Sequence, residues 1–186
     1  MPRAADWRLA RLPRVLTDDE VEALLGAFDR TRGHGRRDYA IAVCLLDLGL
    51  RAGDIGRIKL DDVDWRSSVL TLAPGKNRRG RCLPMPVRVA CALVDYLRCG
   101  RLQPVERALF VHDRAPYGKG IGPTAVRSAV RLAYARAGLD ARLTGTHVLR
   151  HTTATRLLRA GVSMKEIADV LGHRSIDTSA ISPRSS

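Results

Sequence analysis

Val69-Leu70-Thr71-Leu72-Ala73-Pro74-Gly75-Lys76-Asn77-Arg78-Arg79-Gly80-Arg81-Cys82-Leu83-Pro84-Met85 is where the hydrophobic period of the chain changes. Val69-Leu70-Thr71-Leu72 and Arg81-Cys82-Leu83-Pro84-Met85 read as two strands, joined by a loop rich in Gly, Asn and Arg. A short strand near Val63 would complete a small antiparallel sheet. On both sides of it the period is helical. Towards the N-terminus, Thr17-Asp18-Asp19-Glu20 is a capping box that opens a helix through about Phe28. A basic loop, Arg30 to Arg37, leads into an apolar helix from about Asp38 to Leu48, with Gly49 as its stop. Residues 51–58 suggest a short helix weakened by two glycines. After the strands, helical patterns run at about 87–98, 124–137, 146–159 and 164–171, the last opened by a second capping box, Ser163 to Glu166. Helices, a small sheet, then helices define a mostly α (α+β) domain with a small antiparallel three-stranded sheet.

The bulk numbers fit one such domain. A chain of 186 residues, 45% hydrophobic and 27% charged, builds a full core. It contains no run of eighteen apolar residues and no apolar leader after Met1, so a cytoplasmic protein with no membrane partner is expected. A net charge of +13 and a pI near 10.7 call for a polyanionic partner, of which nucleic acid is the commonest. All but four of the 32 basic residues are arginine, which suits bidentate phosphate contacts but also follows from a GC-rich genome. The four cysteines (Cys44, Cys82, Cys91, Cys99) show no C-x-x-C spacing, and three fall in apolar patterns. They read as buried, reduced thiols.

Chemistry concentrates in Thr146-His147-Val148-Leu149-Arg150-His151-Thr152. On a helix His147 shares a face with Arg150 and with His151. Arg150 can fork onto a phosphate while His147 moves a proton beside it. Twenty-two residues after His151 comes Leu171-Gly172-His173. Three readings of these histidines stay open: surface or satisfied core residues, a metal site, or a phosphate site. The i, i+4 pair has zinc-protease spacing, but Val148 stands where such enzymes carry a glutamate, and no third ligand presents itself.

His147-x-x-Arg150-His151, then Gly161-Val162-Ser163-x-x-x-Ile167-x-x-x-Leu171-Gly172-His173-Arg174-Ser175-Ile176, resembles the catalytic domain of the tyrosine recombinases, the phage-integrase family. Leu48-Gly49-Leu50-Arg51-Ala52 with Leu60-Asp61-Asp62-Val63-Asp64-Trp65 resembles the segment of its first catalytic arginine. Gly75-Lys76-Asn77-Arg78-Arg79-Gly80 resembles the loop of its catalytic lysine, and Leu16-Thr17-x-x-Glu20 the start of the domain. The resemblance implies the DNA breaking-rejoining fold over residues 15–181, with 1–14 a linker or the remnant of an N-terminal DNA-binding domain. It also implies double-stranded DNA as partner, assembly as a tetramer on DNA or with a full-length relative, and no metal or other cofactor. By that resemblance, Arg51 and Arg150 clamp the scissile phosphate and His173 adds a hydrogen bond. His147 acts as general base, Lys76 as general acid on the leaving 5′ oxygen, and His151 supports them from behind. The residue-level alternatives are that Arg51 caps the preceding helix and that Lys76 is one more solvated loop charge.

The pattern breaks at residues 182–186. The family's tyrosine nucleophile falls nine residues after the Gly-His histidine, and here that position is Ser182, followed by Pro183. Proline steers the residue before it away from helix. A serine hydroxyl is also a weaker acid and shorter than a phenol. The remaining tyrosines (Tyr39, Tyr96, Tyr117, Tyr134) match no nucleophile position. The expectation is a recombinase site that binds DNA without cutting it, with a non-catalytic DNA-binding remnant or regulator as the alternative.

Overall fold

The computed structural model describes residues 14–74, 80–102, 106–139 and 145–172. The Glu20 amide donates to Thr17 Oγ1 at 3.2 Å and the Thr17 amide to Glu20 Oε2 at 2.8 Å, so the capping box starts α1 (Asp18–Gly26) where the sequence puts it. Next come α2 (Gly33–Asp47), the single turn α3 (Ala52–Ile55) and a 3-10 turn at Leu60–Asp62. The strands β1 (Val63–Asp64), β2 (Val69–Leu72) and β3 (Arg81–Pro84) follow. Four helices complete the fold: α4 (Val87–Cys99), α5 (Pro123–Arg136), α6 (Thr146–Arg159) and α7 (Met164–Leu171).

The core is organised around α2, which is buried on every side from Ala40 to Leu46 and packs against α4, α5 and α6. A helix apolar all round is an interior helix. Helix α4 covers it with one stripe, Val89, Ala92, Leu93 and Tyr96, at the i, i+3, i+4, i+7 spacing of an amphipathic face. The sheet is antiparallel in the order β1-β2-β3, with Val63 opposite Leu70 and Leu70 opposite Leu83. Those three side chains form one buried row. The next residues along, Thr71 and Cys82, face outward. A buried hydrogen bond from the Leu16 amide to Thr152 Oγ1, 2.9 Å, ties the N-terminal segment to α6.

Two expectations need correction. The basic loop Arg30 to Arg37 winds into α2 from Gly33, because its arginines have acidic partners in folded positions. Arg36 pairs with Asp95 at 3.2 Å, and Arg37 with Asp38 at 2.9 Å and Asp113 at 3.0 Å. Only Cys44 of the four thiols is buried. Cys82 sits on the outward pleat of β3, Cys91 falls between the buried positions of α4, and Cys99 ends that helix beyond its last buried residue, Tyr96. Burial in the Cys44 pocket pushes its thiol up to about 12.

Candidate functional site

Helix α7 is opened by Ser163, whose hydroxyl accepts the Glu166 amide at 3.3 Å while Glu166 Oε2 accepts the Ser163 amide at 3.0 Å. It closes on Gly172, which adopts the left-handed conformation at φ 62°. The last carbonyls of a helix lack intrahelical partners and carry the negative end of its dipole. Here arginines from three other elements meet them.

Arg51 stands at the N-cap of α3 and donates to Gly172 O at 3.1 Å and Leu171 O at 3.4 Å. Arg150, in the second turn of α6 and only 9% exposed, donates to Leu171 O and Gly49 O, each at 2.5 Å. Arg81, at the start of β3, donates to Val170 O. The Leu171 carbonyl is therefore shared by Arg51 and Arg150, which lie far apart in the chain but converge on one point. A buried guanidinium needs such acceptors to offset its lost hydration. The carbonyls also fix where its planar fork sits.

Asp54, 3% exposed, is the acidic member of the cluster. It accepts the Arg51 amide at 3.1 Å, Arg57 Nη2 at 2.8 Å and Arg81 Nη2 at 3.3 Å. Gly49 completes the seat. Its φ of +59° is left-handed, and a Cβ there would lie 2.3 Å from Leu171 Cδ2. The α2–α3 connection can thus lie flat against the end of α7 only as glycine.

His147 is exposed in the first turn of α6, and His151 is half-buried one turn on. Their ring centroids are 6.2 Å apart with the planes at 81°. Burial, reinforced by the charges of His147 and Arg150, holds the His151 pKa below the ordinary histidine value. His151 is accordingly neutral at pH 7.

The structure thus brings Arg51, Arg150, His147 and His151 onto the α3, α6 and α7 ends. Lys76, in the segment between β2 and β3, His173, directly after Gly172, and Ser182 lie outside the described residues. Arg51 reaches the carbonyls at the end of α7. Tyr96 and Tyr134 are core residues, and Tyr39 packs edge-on against Phe28 at 6.3 Å, so these three tyrosines serve the interior. Sequence reasoning missed Asp54, Arg81 and the packing role of Gly49. Only Asp54 left a signal, standing three residues after Arg51 in capping-box spacing. Among the described residues no group of three or more His, Cys, Asp or Glu side chains is placed to hold a metal, and no helix is long and apolar enough to cross a membrane.

The model of the phage integrase family matches residues 14–181. The chain belongs to the phage integrase family. A putative integrase/recombinase of Sinorhizobium fredii, y4rA, is 40% identical over 181 residues, covering 97% of this chain and 44% of the relative. A second from the same organism, y4gC, is 39% identical over 171 residues, covering 91% of this chain and 88% of its own length. The chain thus spans less than half the length of the first of these relatives. The crystal structure of the XerA recombinase superposes with a TM-score of 0.75 at 31% identity, covering 88% of this chain and 57% of that one. The mostly helical fold with its three-stranded antiparallel sheet is that of a tyrosine-recombinase catalytic domain.

Proposed function

We propose that this domain binds duplex DNA for site-specific recombination, with Arg51 and Arg150 holding the non-bridging oxygens of one scissile phosphate. The observation that carries the reading is the convergence of the two guanidiniums on the Leu171 carbonyl, one residue before Gly172-His173. Two guanidiniums placed together in a protein-lined site stabilise the charge that a pentavalent phosphorus gains in the transition state. His147, exposed at the head of α6, is the general base, and neutral His151 backs it from one turn below. Lys76 is assigned to the leaving 5′ oxygen and His173 to a further phosphate hydrogen bond, both on the sequence pattern. The charge of +13 supports a DNA partner. So does the likeness in fold to the Tn1549 transposon integrase in complex with circular intermediate DNA, with a TM-score of 0.68 at 22% identity.

The finer part of the proposal is that this 186-residue chain binds without cleaving, because Ser182 stands at the nucleophile's position. In the reaction expected of the family, a tyrosine oxygen displaces the 5′ oxygen and leaves a 3′-phosphotyrosyl bond. The test is a pool of nicked suicide duplexes of randomised sequence, in which a departed 5′ fragment cannot religate. The expected result is a salt-sensitive complex with no SDS-resistant protein–DNA adduct. An adduct formed by this chain and lost in Ser182→Ala would reverse the finer proposal while leaving the family assignment intact.

A further inference from the structure

Arg81 is not one of the five residues given a role in the reaction, yet it occupies the middle of the cluster. Its side chain is 12% exposed, and two of its guanidinium nitrogens have partners: Val170 O on one, Asp54 Oδ2 at 3.3 Å on the other. Gly172 covers it from above. A Cβ added to Gly172 would lie 3.0 Å from both Cζ and Nε of Arg81, so the α7 terminus rests directly on the guanidinium.

We propose that Arg81 is a positioning residue: it braces the end of α7 against Asp54 and so seats the Leu171–Gly172 carbonyls on the Arg51–Arg150 pair. The proposal rests on the phosphate reading of that pair. Neutralising Asp54 does not explain the contact, because that carboxylate already accepts Arg57 at 2.8 Å and the Arg51 amide at 3.1 Å. What Arg81 adds is the link from Asp54 to α7. Through it, one buried carboxylate sets both the main chain of Arg51 and the height of the helix end from which His173 departs. A direct phosphate contact is the competing role. Covered by Gly172 and engaged at two nitrogens, Arg81 is poorly placed for it.

Arg81→Lys separates these roles. Lysine keeps a positive charge near Asp54 but lacks the planar fork that spans two acceptors. Three quantities are read: the thermal midpoint, hydrogen exchange of the Gly172 amide (bonded to Asp169 O at 3.1 Å), and the salt slope of duplex DNA affinity. A brace predicts a midpoint shift of at most about 5 °C. It also predicts Gly172 exchange faster by about tenfold, and a log K–log[salt] slope flattened by about one. In an Arg150→Ala background neither Arg81→Lys nor Arg81→Ala, which removes the charge, should flatten the slope further.

Native exchange and a native slope would leave Arg81 a mere ion pair and overturn the proposal. Further flattening by about one on Arg81→Ala, which removes the charge that lysine keeps, in the Arg150→Ala background would make it a direct phosphate contact and overturn it equally. If Arg150→Ala itself leaves the slope unchanged, the phosphate reading has failed instead, and the brace then stands or falls on Gly172 exchange alone. Should Arg81→Lys not fold, Gly172→Ala presses a methyl onto the intact guanidinium. It should reproduce the slope loss, and a native slope there would again refute the brace.

Discussion

Gly49→Ala probes the seat of the site without touching a charged residue. The main chain at 49 is left-handed (φ +59°), which costs an alanine about 1–2 kcal/mol. Its Cβ would also lie 2.3 Å from Leu171 Cδ2, well inside contact distance, and overpacking of this kind costs about 1–3 kcal/mol. Leu171 is 1% exposed, so its side chain has little room to yield. The expected loss is about 2–5 kcal/mol, or at least about 4 °C in the midpoint of a domain this size. The assay is urea unfolding of four proteins: the native chain, Gly49→Ala, Leu171→Ala and the double variant. Leu171→Ala alone should cost about 2–5 kcal/mol, but it also removes the atom that the new methyl strikes. The double variant should therefore be less destabilised than the sum of the singles by about 1–3 kcal/mol, because Gly49→Ala then adds only its backbone cost to that of Leu171→Ala. Additivity within about 0.5 kcal/mol would show that the methyl and Leu171 do not compete for the same space, and the packing role of Gly49 would be refuted.

Other outcomes follow from single contacts. Thr152→Val strips the acceptor from the buried Leu16 amide and should destabilise the domain by about 1–3 kcal/mol in a thermal melt. Thr155→Val, half-buried on the same helix, is the comparison and should change stability by no more than about 0.5 kcal/mol. Ser163→Ala removes the α7 cap and should cost about 1 kcal/mol, seen as faster amide exchange in α7 than in α6. A thiol reagent should label Cys82, Cys91 and Cys99 in the native protein and reach Cys44 only after denaturant is added; native labelling of Cys44 would contradict its burial. Because the His151 pKa is depressed in the fold, the unfolded chain binds the extra proton first. Its contribution is complete above the unfolded value near pH ~6.5 and is lost as pH falls through the lower folded value. His151→Asn should therefore flatten the acid-side decline in stability below that pH, and an unchanged decline would count against the burial assigned to His151.

What the sequence made legible was whatever repeats along one element. The strand alternation placed β2 within its observed bounds, and the two capping boxes located the starts of α1 and α7. Family register singled out Arg51, His147 and Arg150 as candidates, and the fold places Arg51 and Arg150 on one carbonyl and His147 in the first turn of α6. The errors lie where tertiary partners decide. Gly33 and Gly35 look like loop residues, yet they open α2 because Arg36 and Arg37 find acids on α4 and in the 106–121 segment. Cys91 and Cys99 belong to an apolar-looking helix, but the phase of its stripe, fixed by Val89, Leu93 and Tyr96, leaves Cys91 outside, and Cys99 is the last residue of the helix, beyond the buried stretch. Arg81 was illegible for the same reason. Its partners lie 27 and 89 positions away, and no local spacing announces a contact that only the packing of β3 under α7 creates.

The central claim is that Arg51 and Arg150 hold one and the same phosphate, and the salt dependence of duplex binding tests it most directly. Each phosphate neutralised contributes about 0.9 to the slope of log K against log[salt]. Arg51→Ala and Arg150→Ala should each weaken binding and flatten the slope by about one, and the double variant should flatten it by no more than either single. Slopes unchanged in both singles, or a double that loses about two, would contradict the shared clamp.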